Sequence, residues 1–314
     1  AENPLAESLA LFQALDDTWG LGLAKLNLGW LAFSRNDLAP AEQAWEAGLA
    51  HFRRAGDRWG IATTIGALGY IMRLRGHYPR AASLTEESLR LYRELGDKAG
   101  VAMSLLRLAG LAFRRGEFPQ ALDLATEAHT LARDRGDSGN ALSALGLLGQ
   151  LANVQGDFRQ AVRLLDEALA ECRTTDDTYS LSALLYHRGH TAYLQAQLDS
   201  AETLYRECLG QMPQFDDRLL AGLALTGLGA VARRRADLVQ ARALLLLGGS
   251  FFLDWGFWVF YSVALAVAGR LAEAAGETAA AAQSFRRCLE LRRELGDRQG
   301  VAEALEAIAA TGAA

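Results

Sequence analysis

The 314-residue chain predicts an all-α fold, a solenoid of antiparallel helix pairs with about 16 helices. Two observations predict it. The sequence resembles itself at a spacing of 40 residues, and each stretch of 40 holds two runs of helical periodicity separated by turn residues. A fixed period of roughly 20–50 residues marks a repeat architecture, in which each unit buries its apolar face only by stacking on its neighbours.

Five residue combs carry the period. Asp17, Asp57, Asp97, Asp137, Asp177, Asp217 and Asp297 fall on one, and Gly20, Gly60, Gly100 and Gly300 on another. A third reads Gly29, Gly69, Ala109, Gly149, Gly189, Gly229 and Gly269. A fourth is always alanine: Ala41, Ala81, Ala121, Ala161, Ala201, Ala241 and Ala281. The fifth is always small: Ser8, Gly48, Ser88, Ala128, Ala168, Cys208, Gly248 and Cys288.

Taken in order, the units run 17–56, 57–96, 97–136, 137–176, 177–216, 217–256 and 257–296, with half-units at 1–16 and 297–314, so that residues 1–314 read as a single array. The unit 57–96 shows the logic. Gly56 is suited to a left-handed helix stop and Asp57 to the cap of the next helix. Ile61, Ile65, Leu68 and Met72 then recur on one helical face until Gly76. Tyr78-Pro79 opens the second helix, where proline is tolerated in the first turn, and Leu84, Leu89 and Tyr92 continue its apolar side to Gly96-Asp97. The small combs are expected to let backbones approach: the Gly69 and Ala81 types within a pair, the Ser88 type towards the next unit. A large side chain there would overpack the contact by about 1–3 kcal/mol. The chain opens on a lone second-type helix, Pro4 to Leu15, and closes on a lone alanine-rich first-type helix, Arg298 to Ala310. Complete solenoids carry polar caps, so a piece of a longer protein is expected.

Composition narrows the function classes. Net charge is −5 with a pI near 5.6, the opposite of a nucleic-acid footprint. Lysine occurs only at Lys25 and Lys98, so the basic side chains are nearly all arginine, the residue suited to bidentate contacts with carboxylate or phosphate. Cys172, Cys208 and Cys288 are far apart and odd in number, and Cys208 and Cys288 fall on the small comb, so buried thiols are expected rather than a disulfide or zinc framework. No apolar run is long enough for a membrane span. A cytoplasmic protein is expected, with no direct nucleic-acid or membrane partner.

The residues that repeat most clearly resemble the tetratricopeptide repeat. Leu28-Gly29, Leu68-Gly69, Leu148-Gly149 and Leu228-Gly229 match its Leu-Gly pair in the first helix, followed by the alanines of the second. The unit of 40 is longer than the usual one and is similar to the extended variant of kinesin light chains, Pins-type polarity scaffolds and bacterial regulators. The string from Glu86 to Lys98, with Glu94-Leu95-Gly96-Asp97 inside it, resembles the C-terminal arms of LuxR-type and SARP-type regulators that carry a signal-transduction ATPase upstream. Ala243 to Gly249, a leucine-rich string, resembles a segment near the end of those arms. The chain itself has no G-x-x-x-x-G-K-[ST] phosphate loop and no basic helix-turn-helix segment.

The resemblance implies a right-handed superhelix whose first helices line a concave groove. Projecting the face opposite the Ile61–Met72 stripe gives the groove candidates. Asn27, Trp30 and Phe33 come first, then Tyr70 and Arg73, then Arg107, Phe113 and Arg114. Gln150 and Asn153 follow, then Tyr186, His187, His190 and Tyr193, and last Arg233, Arg234 and Arg270. Aromatics and arginine dominate binding hot spots, and carboxamides hydrogen-bond an extended backbone. The expected ligand is a protein or peptide partner of acidic character, or a polar small effector, since some regulators of this type bind metabolites on their arm. His187 and His190 share a helical face, but two imidazoles are fewer ligands than a zinc site needs, so no metal and no cofactor are expected. No H-E-x-x-H, G-x-S-x-G or acid/base pair is present, so no enzyme is expected. The segment Phe251 to Tyr261 departs from the pattern, with Phe257 and Trp258 where polar residues are usual. Asp254 is expected to cap the next helix three residues early. Phe251 and Phe252 are expected to pack, while Trp255 and Trp258 form a candidate partner patch.

Overall fold

The structure, a computed structural model, describes residues 2–35, 37–175, 177–211, 218–254 and 258–310. Among the described residues sixteen helices follow one another. They are α1 (Glu2–Ala14), α2 (Thr18–Ser34), α3 (Leu38–Ala55), α4 (Arg58–Leu74), α5 (Tyr78–Leu95), α6 (Lys98–Arg114), α7 (Phe118–Asp134) and α8 (Ser138–Val154). They continue with α9 (Phe158–Cys172), α10 (Thr178–Leu194), α11 (Leu198–Gly210), α12 (Arg218–Arg234), α13 (Leu238–Asp254), α14 (Trp258–Ala274), α15 (Thr278–Glu294) and α16 (Arg298–Ala310). The chain divides into two compact units, Ala1–Leu108 and Ala109–Ala314. No described helix is long and apolar enough to cross a membrane.

The punctuation works through the backbone. The Asp137, Asp177 and Asp297 carboxylates accept from the amides of Asn140, Ser180 and Gly300 at 3.1, 3.0 and 3.0 Å, satisfying donors that no helix carbonyl can reach. Asp57 does the same for Trp59 at 3.1 Å. The residues before the aspartates, Gly56, Gly96, Gly136 and Gly296, sit at φ between 68° and 71°. Asp217 lies outside the described residues. Ala196 and Ala236 hold the left-handed conformation that glycine takes at Gly76, Gly116 and Gly156, at φ of 60° and 63°.

The small combs make room for side chains as well as for the close backbone approach that the sequence predicts. The third comb is a row of holes, and a side chain on the second helix, 16 residues later, is the knob. A Cβ on Gly149 would lie 2.8 Å from the Leu165 Cγ, one on Gly189 2.9 Å from the Tyr205 ring, and one on Gly229 2.9 Å from the Leu245 Cγ. Beside the knob the second backbone also comes close: the Ala81 and Ala241 carbonyls lie 3.4 Å from where Cβ atoms on Gly69 and Gly229 would be. In the unit 97–136 the hole is Ala109 and the residue at the knob position is Ala125, both fully buried: a small knob goes with a smaller hole. The Gly60 and Gly100 positions lie under the rings of Phe52 and Tyr92 of the preceding unit, which explains the second comb.

The fifth comb contacts the first helix of its own pair, and Cys208 and Cys288 also cluster with Ala224 and Ala304 of the units that follow. Ser88 Oγ donates to the Ala62 carbonyl at 2.8 Å, Cys288 Sγ to the Ser262 carbonyl at 3.2 Å, and a Cβ on Gly248 would lie 2.9 Å from the Gly222 carbonyl. Each is the carbonyl 26 residues back, on the first helix of the same pair. The alanine comb is fully buried at Ala41, Ala81, Ala121, Ala161, Ala201, Ala241 and Ala281. Cys172, Cys208 and Cys288 are buried free thiols. Asp254 is the last residue of α13, and residues 255–257, on which its expected capping role turns, lie outside the described residues. The register of 40 outweighs the loss of its capping aspartate, because α14 still docks its Gly269 hole under Phe285.

Two outcomes follow from this packing. Leu165→Ala is expected to cost about 2–5 kcal/mol as a cavity, and Gly149→Leu about 1–3 kcal/mol as overpacking. The double variant should be more stable than the sum of the two losses predicts, and denaturant melts that simply add would contradict a knob-in-hole contact. Ala236→Gly should raise or hold the melting temperature, since the relief of a left-handed alanine, about 1–2 kcal/mol, exceeds the added chain entropy of about 0.5–1 kcal/mol.

Candidate functional site

Successive first helices touch directly: α2 meets α4 in the first unit, and α8, α10, α12 and α14 pack in sequence in the second. Second helices mainly meet the first helices beside them. Each unit therefore curves with its first helices on the inside.

In the first unit the inner face carries a run of rings ending in two cations. Trp45 is fully buried in α3 and donates its indole N–H to the Leu26 carbonyl at 3.1 Å. Trp30 packs edge-on against it with centroids 4.9 Å apart, and Phe33 bridges from Trp45 at 5.9 Å to Tyr70 at 5.4 Å. The Arg73 and Arg107 guanidinium carbons lie 4.7 and 5.6 Å from the centroid of the Tyr70 ring. Arg107 Nη1 is buried with no hydrogen-bond partner. Desolvation pulls the Arg107 pKa down; Tyr70 and Tyr92 oppose that shift and Arg73 adds to it. Gly66 makes the seat, since a Cβ there would lie 2.7 Å from Arg107 Nη1. Asn27 is exposed on α2.

In the second unit the inner face is mainly neutral. Gln150 Nε2 and His187 Nε2 lie 3.3 Å apart, joining α8 to α10. Asn153 is buried and donates to Thr191 Oγ1 at 2.9 Å, and Thr191 donates in turn to the His187 carbonyl at 3.1 Å. Asn153 is thus a bridge between helices rather than an open groove residue, because its position on α8 turns towards α10. Tyr186 packs against His187 at 5.2 Å and Tyr205 at 5.9 Å. Arg234 lies 4.3 Å from the Tyr193 centroid and donates to the Tyr193 carbonyl at 3.1 Å, while Arg233 reaches the Tyr193 hydroxyl at 3.4 Å. Arg114, at the end of α6, lies 5.7 Å from the Phe260 ring of α14, so the two inner faces meet across the interior of the unit.

Burial sets the protonation states. Desolvation lowers the His187 pKa to about 3, with His190 and Arg114 pushing the same way. Desolvation also lowers His190, against the pull of Glu303, and raises Tyr186 to about 12. Both imidazoles are neutral hydrogen-bonding groups at pH 7. Among the described residues no group of three or more His, Cys, Asp or Glu could hold a metal.

A family model described as tetratricopeptide repeat matches residues 99–174, and a second of the same description matches residues 264–299. The chain carries tetratricopeptide repeats. No curated protein matches the sequence. Among solved structures, the repeats are similar to the Rap conjugation gene regulator of plasmid pLS20 in complex with the Phr* peptide. That match has a TM-score of 0.72 and 14% identity, covering 90% of this chain and 76% of that one. They are similar to NprR in complex with its cognate peptide NprX, with a TM-score of 0.65 and 14% identity over 91% of this chain and 84% of that one. A third likeness is to a Signal Transduction ATPase with Numerous Domains protein with a tetratricopeptide repeat sensor from Pyrococcus horikoshii. Its TM-score is 0.58 at 13% identity, covering 92% of this chain and 47% of that one. At these identities the likeness is one of fold.

The repeats bring together Trp30, Tyr70, Arg73 and Arg107 in one unit, and Gln150, Tyr186, His187 and the Arg233–Arg234–Tyr193 group in the other. Trp258 is 40% exposed and packs edge-on to Tyr261 at 6.5 Å, whereas Trp255 lies outside the described residues. Phe252 is fully buried, 6.0 Å from the Phe260 ring. Sequence reasoning placed Gly66 on the inner face without a role, and missed Phe260 and the indoles of Trp19 and Trp59. Those indoles donate to Asp57 and Asp97 of the following repeats at 2.8 and 3.2 Å. Their spacing of 40 was a readable signal. It also missed a cavity of about 300 Å³ bounded by Asp166, Arg173, Arg188, Ser200 and Thr203, between α9, α10 and α11.

The His187 shift fixes a pH response. The unfolded chain protonates this imidazole below about 6.5, the folded chain only near 3. The fold therefore keeps its full stability above the unfolded pKa and loses it as pH falls from about 6.5 towards 3. Denaturant melts from pH 7 to 4 should show this decline, with a smaller slope in His187→Gln. An NMR titration with His187 protonating above pH 5 would contradict it.

Proposed function

We propose that the repeats act by binding, taking an extended peptide segment of acidic character on the inner face of the first helices, as the sensor or interaction arm of a larger bacterial regulator. The observation that carries this reading is where charge is left uncompensated. Several outer arginines are paired: Arg133 with Glu171 at 2.8 Å, Arg173 with Glu207 at 2.9 Å, and Arg58 with Glu94. Among the described residues the inner arginines Arg73, Arg107, Arg114, Arg233 and Arg234 have no carboxylate partner; they lie against Tyr70, Phe260 and Tyr193 instead. In a chain of net charge −5 this leaves the inner face cationic, with aromatic surface and neutral amide and imidazole groups beside it. That combination complements a segment rich in backbone amides and carboxylates.

The similar structures support the reading from outside. The pLS20 regulator and NprR are described with bound peptides, and the Pyrococcus protein pairs a repeat sensor with an ATPase. We read this chain in the same arrangement, with an ATPase module upstream in the same polypeptide and residues 1–314 as one repeat array. The period of 40, which runs through both units, supports the latter.

A random-peptide display selection on the full chain tests the proposal. Enriched peptides should bind in the micromolar range, and Tyr70→Ala or a combined Gln150→Ala and His187→Ala should weaken them roughly tenfold or more with the melting temperature little changed. Enrichment of no sequence, or binders indifferent to both variants, would sink the reading.

A further inference from the structure

We propose that Arg107 and Arg73, flanking the Tyr70 ring between α4 and α6, form a seat for one carboxylate. This rests on the peptide reading above and names the group that the first unit recognises.

The argument starts from the cost of the arrangement. Two guanidinium groups share one ring, at 4.7 and 5.6 Å, and repel each other. Arg107 Nη1 is sealed from water without an acceptor, an expensive condition for a charged donor. The groups that face Arg107 are Tyr70, Tyr92, Arg73, Gly66 and Ser88, none of them an anion. Tyr92 and Ser88 are already engaged, with Thr63 Oγ1 at 2.8 Å and the Ala62 carbonyl at 2.8 Å. The protein thus supplies a fixed, partly desolvated cation pair and withholds its counter-ion. Arg107 as a residue is half-buried, while its Nη1 is sealed from solvent. Guanidinium geometry favours a bidentate planar acceptor.

The equivalent register two repeats on serves as an internal contrast. Gly146, Gln150, Asn153 and His187 stand where Gly66, Tyr70, Arg73 and Arg107 stand. That place is neutral, its amide and imidazole bonded to each other at 3.3 Å. The anion preference therefore belongs to the first unit and not to the repeat as such.

The test uses the full chain and three fluorescein-labelled probes: Ac-(Ala-Glu)3-amide, Ac-(Ala-Gln)3-amide and Ac-(Ala-Gln)3 as the free acid. Anisotropy titrations at moderate salt should show tighter binding of a carboxylate-bearing probe than of the neutral amide. The Glu amide and the Gln free acid separate a side-chain from a C-terminal carboxylate. Arg107→Gln and Arg73→Gln should each reduce that preference roughly tenfold. Gly66→Ala, which keeps every charge but displaces Arg107, should reduce it as well. Arg54→Gln, an exposed arginine on α3, should leave it intact. Equal binding of all three probes, or an equal loss in Arg54→Gln, would overturn the seat. Peptides selected by display that depend on His187 but ignore Arg107 would overturn the seat while leaving the peptide reading standing. A selection that yields no peptide would remove the reading itself.

Discussion

The structure depends on a side chain of each second helix entering a hole on the first helix of its own pair. Tyr205 over Gly189, Leu245 over Gly229 and Phe285 over Gly269 are the same contact repeated. A knob and its hole must change together, which explains why Ala109 faces the position of Ala125. The knob fixes the height of one helix against the other, and the buried alanine comb then lets the helices close. Because the contact lies within the pair, each pair has one geometry. The next pair is held through a different contact, the ring of Phe52 or Tyr92 lying on Gly60 or Gly100. Two unlike contacts, alternating, make a stack with fixed spacing.

That division of labour explains what could be read from residues alone. Glycine–aspartate punctuation is local chemistry, a left-handed stop and a side-chain cap, so helix boundaries such as Arg58–Leu74 and Tyr78–Leu95 were legible. Small combs were legible as close contacts. The atoms they make room for were not, because the knob lies 16 residues away and ranges from Ala125 through Leu165 and Leu245 to Trp45. The inner face was legible in part. Tyr70 and Arg73 lie where helical projection puts them, but Asn153 turns into the helix interface and bonds Thr191. Projection on a single helix cannot see the neighbouring helix that claims one edge of the face.

The inner and outer surfaces solve the same electrostatic problem differently. Outside, arginines reach carboxylates across successive second helices, as Arg133 of α7 reaches Glu171 of α9, and such exposed pairs contribute little, about 0–1 kcal/mol each. Inside, arginines rest on rings. A cation over an aromatic face keeps its donors unspent, because the ring attracts the charge without accepting its planar hydrogen bonds in the way a carboxylate does. Tyr193 shows the limit of this device: Arg234 both stacks on it and donates to its carbonyl, so that cation is half committed.

Neutral imidazoles complete the argument. His187, with its pKa near 3, cannot compete for an anion at pH 7, and it is already engaged with Gln150. Its burial removes a charge that would otherwise add to Arg114 nearby. The second unit can thus hold polar, uncharged groups in a partly desolvated interior at modest cost, while the first holds bare cations at a greater one. Strain of that kind persists in a fold only where something relieves it. Among the described residues of the first unit no anion faces the Arg73–Arg107 pair, and a ligand that brings its own negative charge would supply one.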